Sequence, residues 1–153
     1  MEVTIREALA LEMEIAKSCY SSFKRNLNQE RGRNELIELI PLFIGCLTSL
    51  DRSLNFLQKL MNLKEKESIP IIIRTQDNIE LQHNFKLLHL LLKSYRSNRA
   101  VPYQFDICNG KLYIESFIYR NDEFPKIDID SYLDEIYPRV EEYIAETLKR
   151  CAL

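Results

Sequence analysis

Helix breakers are scarce in this chain. Only 3 glycines and 5 prolines occur in 153 residues, too few for the turn-dense repetition of β-sandwiches, and long stretches contain neither. Charge of one sign is lacking too. The 21 basic and 23 acidic side chains leave a formal charge of -2, which excludes the broad positive field of non-specific nucleic-acid binders, so any RNA contact is local. No apolar run approaches the roughly 18 residues of a membrane span. The amino terminus carries Glu2, Arg6 and Glu7 where a signal peptide would be apolar. The expectation is a cytoplasmic protein with no membrane contact. Cys19, Cys46, Cys108 and Cys151 form no C-x-x-C pair and have no nearby His pair, which argues against zinc and predicts reduced, buried thiols. Phosphate loops, dinucleotide fingerprints, H-E-x-x-H and G-x-S-x-G are all absent. His83 and His89, six residues apart on one predicted helix, fall on different faces and make no metal pair. No metal and no cofactor is expected.

What is present reads as one domain spanning residues 1–153, with 46% hydrophobic and 29% charged residues, the usage of an ordinary folded protein. The fold class is mainly α: a helical bundle of four to five helices with one β-hairpin inserted before the carboxyl-terminal helix. The Thr4-x-x-Glu7 capping box opens a first helix running to about Leu27. Its stripe of Ile5, Ala8, Leu9, Ile15, Ala16, Cys19, Tyr20, Phe23 and Leu27, interrupted by Glu12, predicts one buried face. A polar connection follows, and Asn34 can cap a second helix to about Met61 with a kink or break at Pro41. That helix is apolar on nearly every side from Leu36 to Leu47, which suggests contact with a second chain. Leu47, Leu50, Leu54, Leu57 and Met61 then face inward, and Asp51, Arg52, Gln58 and Lys59 outward. Ile69 to Ile73, with Pro70, is either an edge strand or a buried extended segment. Asp77-x-x-Glu80 starts a third helix that ends near Ser97.

Asn109-Gly110 is a type I′ turn signal between Tyr103 to Cys108 and Lys111 to Tyr119. A two-residue turn sets Ile107 opposite Leu112 and Phe105 opposite Ile114 on an apolar face, with Asp106 opposite Tyr113 and Gln104 opposite Glu115 on the other. Arg120 to Lys126 reads as a polar loop, and Ser131-x-x-Asp134 as the cap of a last helix that Pro138 should bend.

Three groups of side chains point toward chemistry. Asp122, Glu123, Asp128, Asp130, Asp134 and Glu135 crowd the start of the last helix, but they lack the alternating ligands and central Gly of a calcium hand, and acids favour a helix start in any case. Lys24, Arg25, Arg31 and Arg33 form one basic cluster. Lys93, Arg96 and Arg99 form the other, where Tyr95, Arg96, Asn98, Arg99 and Tyr103 combine rings that stack bases with guanidinium groups that contact phosphate.

The run from Tyr95 to Ile114, followed by a polar loop and a capped last helix, resembles the carboxyl-terminal half of HEPN-like helical-bundle proteins. The resemblance covers Tyr95 to Cys151 and rests on element order. In that superfamily an Arg, often followed by Asn, lies near a helix end, and a His follows a few residues on. Here those positions hold Ala100, Val101 and Pro102 counted from Arg96, or Tyr103, Gln104 and Phe105 counted from Arg99, and no His follows His89. Arg is too basic to cycle a proton at neutral pH. What the resemblance implies is therefore a non-catalytic member: a protein-interaction, antitoxin-like or accessory module of a prokaryotic defence or toxin–antitoxin system, acting as a homodimer or on a protein partner. The alternative is an RNA-binding protein or metal-independent ribonuclease that uses Arg96, Asn98, Arg99 and Tyr103.

Overall fold

The computed structural model describes residues 2–27, 36–61, 86–88, 90–91 and 104–150. Helix α1 spans Glu2–Leu27, a stretch without Gly or Pro. It is already helical at Glu2, so Thr4 lies inside the first turn and does not open the helix as a cap. Leu9, Ala16 and Phe23, spaced by seven, are buried and mark the inward face. Two neighbours depart from the expected stripe. Glu12 is only 8% exposed, whereas Ile15 is 40% exposed. The helix is rotated so that position 12 faces inward, and the Arg52 guanidinium lies 3.4 Å from Glu12 Oε1.

Leu36 and Ile37 are helical, a turn follows at Glu38 and Leu39, and helix α2 spans Ile40–Met61. The break expected at Pro41 therefore falls just before it. Pro41 sits in the first turn, where its missing N–H leaves no helical bond unmade. The Leu39 N–H donates to Leu36 O at 3.1 Å and the Phe43 N–H to Leu39 O at 3.1 Å. Phe43, Cys46, Leu47, Leu50, Leu57, Leu60 and Met61 are all buried. Leu36 and Leu39 are buried as well, so much of the apolar run expected to meet another chain is covered within this one. Asp51, expected outside, is buried, while Arg52, Gln58 and Lys59 are exposed. Buried Ser53 donates to Ser49 O at 2.8 Å. Gly45 lies against Cys19 so closely that a Cβ there would come 3.2 Å from Sγ. Glu12 with Arg52, and Cys19 with Gly45, step in opposite directions along the two helices, which are therefore antiparallel.

The Asn109-Gly110 turn joins strands β1 (Phe105–Cys108) and β2 (Lys111–Ile114). Both turn residues have positive φ, 52° and 73°, as a type I′ turn requires. The register pairs Phe105 with Ile114, Asp106 with Tyr113 and Ile107 with Leu112, as the turn dictates. The Glu115 N–H extends it by donating to Gln104 O at 2.8 Å. Leu112 and Ile114 are buried, while Phe105 and Ile107 are half-buried against the same core. On the opposite face Lys126 lies 3.1 Å from Asp106, 3.0 Å from Glu115 and 4.7 Å from the Tyr113 ring centre.

The expected single hairpin and polar loop need correcting. β2 ends at Ile114, and a second hairpin, β3 (Phe117–Tyr119) and β4 (Asp122–Phe124), turns at Arg120 and Asn121, with φ of 50° and 69°. A short β5 (Ile127–Asp128) then pairs with β2, giving the sheet order β1-β2-β5 beside the separate β3-β4 ribbon. The Phe117 and Phe124 rings stack across that ribbon, 4.9 Å apart.

Helix α3 spans Ile129–Arg150. Its cap is Asp128, whose Oδ1 accepts the Asp130 N–H at 3.0 Å. Ser131, the expected cap, is already helical. An Asp two residues before the bonded N–H fills the capping role as well as Ser would. Helix α3 continues through Pro138, and Tyr132, Leu133, Ile136, Val140 and Ile144 are buried along it. The mainly helical fold with antiparallel strands before the last helix is as expected. Of the third predicted helix, residues 86–88 and 90–91 are helical, with Leu87, Leu88, Leu90 and Leu91 buried. Asn34, the segment 69–73 and the start of that helix lie outside the described residues. Among the described residues no helix is long and apolar enough to cross a membrane.

Ile114 is fully buried and Ile118 is 67% exposed. Ile114→Lys should therefore lower stability by about 3 kcal/mol or more, because an unpaired charge enters the core, whereas Ile118→Lys should change it by less than about 0.5 kcal/mol. Urea unfolding of both variants checks this, and equal midpoints would contradict the observed register.

Candidate functional site

Among the described residues, titratable side chains gather where the carboxyl-terminal end of α1 meets the start of α3. Tyr20 and Lys24, one helical turn apart, reach across to Asp130 and Asp134, also one turn apart. The Tyr20 hydroxyl donates to Asp134 Oδ1 at 2.6 Å, and Lys24 Nζ donates to Asp134 Oδ2 at 2.8 Å and to Asp130 Oδ1. The Tyr20 and Tyr137 rings stack with centres 4.4 Å apart, and the Tyr137 hydroxyl donates to Glu141 at 2.7 Å.

Protonation follows from this geometry. Burial, aided by the hydrogen bond to Asp134, pushes the Tyr20 phenol up to about 12. Burial and the Glu141 bond raise Tyr137 further. Burial alone would raise the Asp134 carboxyl, but the bonds from Lys24 and Tyr20 outweigh it and hold the carboxyl below its ordinary value. Burial works against the Lys24 ammonium, yet Asp130 and Asp134 keep its pKa above the ordinary lysine value. The phenols thus stay neutral and the ammonium charged at physiological pH. None of these groups is poised to take or give a proton near neutrality, as a general acid or base must be.

The acids once grouped at the start of the last helix separate in space. Asp130 and Asp134 are held by Lys24. Asp128 caps α3 and lies 3.8 Å from Lys111, and Asp122 and Glu123 belong to the second hairpin. No group of three or more candidate metal ligands occurs among the described residues. Of the basic cluster, Arg25 donates to Ser22 Oγ at 3.1 Å, and Arg31 and Arg33 lie outside the described residues. So do Arg96, Asn98, Arg99 and Tyr103, the predicted RNA contacts, together with His83, His89 and Cys151. The thiols differ from one another. Cys46 is buried, and burial lifts its pKa to about 12. Burial also raises that of half-buried Cys19. Cys108, expected to be buried, is exposed beside the hairpin turn because it sits at the end of β1.

Toward the other end of α1 an open cleft of about 400 Å³ separates it from α3. Leu9, Met13, Ile144 and Leu148 line it, with Arg6, Lys17, Glu14 and Glu141 at its edge. Sequence reasoning missed both this cleft and the Lys24 junction, because each depends on how two distant helices are paired. No known protein family, curated protein or solved structure matches this chain.

Asp134 has a depressed pKa, so its contribution is present above about 3.9 and is lost as pH falls through the folded-state value. Its side chain is 45% exposed, so solvent screening keeps the contribution below about 1 kcal/mol. Thermal melts between about pH 5 and pH 2 should show a smaller acid-induced loss for Asp134→Asn than for wild type. Identical acid limbs would contradict the assigned coupling to Lys24.

Proposed function

We propose that this chain is a non-catalytic protein-interaction module, cytoplasmic and built on a bundle of four to five helices. The observation that supports it best is a contrast. The ionisable side chains at the α1–α3 junction are tied to one another, while the apolar side chains of Leu11 and Ile15 on α1 face solvent, 62% and 40% exposed. A surface whose polar groups are satisfied internally and whose apolar groups are not is suited to burial against another protein. The HEPN-like resemblance adds a setting, an antitoxin-like or accessory role in prokaryotic defence, and supplies a partner class: a second copy or another protein.

The contrasting activity is RNA cleavage or binding through Arg96, Asn98, Arg99 and Tyr103. A fluorogenic RNA assay with EDTA should give equal background signal for wild type, Arg96→Ala, Arg99→Ala and Tyr103→Phe. Cleavage by wild type that any of these changes abolishes would replace the interaction reading with a nuclease. RNA retention that weakens steeply with salt would indicate phosphate binding. Purification from the native host with mass spectrometry should recover a protein at stoichiometric yield that survives high salt.

A further inference from the structure

Helix α1 carries a second stripe besides the one facing the core. Ala8, Ile15 and Ser22 repeat every seven residues, and Leu11 and Ser18 fall between them at the alternating spacing of a two-helix seam. Leu11 and Ile15 are 62% and 40% exposed, Ser18 is exposed, and Ala8 and Ser22 are half-buried. The two flanks of this stripe are unlike. Glu12 and Cys19 lie on the flank covered by α2, against Arg52 and Gly45. Glu7 and Glu14 run along the other flank, away from α2, and are exposed.

We propose that this face of α1 is a two-fold contact at which a second copy of the chain packs, the two α1 helices running parallel. The inference rests on the interaction-module reading and supplies its partner. In a parallel pair each residue meets its own counterpart, and the seam then has Ala8, Ile15 and Ser22 at one heptad position and Leu11 and Ser18 at the other; Ile at the first and Leu at the second, as at Ile15 and Leu11, favour two parallel strands. Two-fold symmetry also sets the Glu7 and Glu14 flank of one chain beside α2 of the other. Helix α2 presents exposed Arg52 and Lys59 there, seven residues apart. Because α1 and α2 are antiparallel with Arg52 level with Glu12, the partner's Arg52 comes within two residues' rise of Glu14, and the partner's Lys59 within the same rise of Glu7. Each edge then sets Glu7 and Glu14 against the partner's Arg52 and Lys59, with the partner's Glu12, 8% exposed and itself paired to Arg52, lying between them. An antiparallel α1 pair in the register that sets Leu11 against Ile15 instead brings Glu14 against its own copy.

Light scattering should give twice the 18.2 kDa of one chain for wild type. Leu11→Lys and Ile15→Lys should each weaken the dimer about tenfold or more with unchanged helical circular dichroism, since both sites are open to solvent in the single chain. Glu7→Lys and Lys59→Glu should each weaken self-association, and mixing the two should restore it as a heterodimer in which the native Glu7 and Lys59 meet at one edge and the two substituted side chains, again of opposite charge, meet at the other. In a Cys108→Ser background, Leu11→Cys should oxidise to a disulfide-linked dimer, and Lys17→Cys, on the cleft side of α1, should not. A wild-type monomer at high micromolar concentration, a dimer indifferent to Leu11→Lys and Ile15→Lys, or no rescue on mixing would overturn the contact. RNA cleavage by an intact dimer would overturn the module reading and leave the contact standing.

Discussion

The rotation of α1 about its own axis is the setting on which the other contacts depend. It is fixed at two places by α2. At Gly45 the absence of a side chain lets the helices approach until a Cβ there would stand only 3.2 Å from Cys19 Sγ, and seven residues back along α1, Glu12 is held beside Arg52. Those contacts direct Leu9, Ala16 and Phe23 into the core. They also place Tyr20 and Lys24 on the side where α3 arrives, and leave Leu11 and Ile15 outside. Turning the helix by one residue's angle would bury Ile15 and strand Lys24 away from Asp130 and Asp134. Close helix approach at a small residue thus decides both the internal ion pairs and the free surface.

That rotation is also where reading the sequence failed. Glu12 and Ile15 sit on neighbouring edges of the same stripe, and hydropathy alone puts the isoleucine inside. The group Glu12 meets, Arg52, is forty residues away, beyond any local pattern. The Asn109-Gly110 hairpin was legible down to its register because a two-residue turn leaves no freedom in pairing and both positions need positive φ. The second hairpin uses Arg120 and Asn121 at equivalent angles. Asn tolerates them, but Arg carries no such signal, so the stretch reads as a polar loop. The available clue was two short aromatic-bearing runs, Phe117 to Tyr119 and Asp122 to Phe124, separated by two residues. Pro41 was legible as a break because its chemistry is local, whereas the helix-start signals at Thr4 and Ser131 misled: in both cases helix begins earlier, at α3 because Asp128 takes the capping bond first.

The chemistry of the candidate site was less legible than the fold. Acidic side chains clustered in sequence suggested a group in space, yet the strands and turns between 122 and 130 send Asp122 and Glu123 onto a ribbon while Asp130 and Asp134 turn toward α1. Conversely, Lys24 and Asp134 are more than a hundred residues apart, and only the packing of α1 on α3 joins them. Spacing along one element predicts which side chains share a face, but not which second element covers that face.

The α1–α3 junction shows why so many charges in one place need not imply catalysis. Lys24 and Arg25 lie in the last turn of α1 and Asp130 in the first turn of α3, so each set already complements its own helix dipole. Antiparallel packing brings the electronegative end of α1 beside the electropositive end of α3 and sets the two groups of compensating side chains within bonding reach. The ammonium and carboxylates then stabilise the helix ends and each other at the same time. A group stabilised in its charged form by several neighbours is pushed away from neutral pH, the opposite of what proton transfer requires. The arrangement therefore anchors one end of α1 and leaves its apolar seam, Leu11 and Ile15, open to solvent.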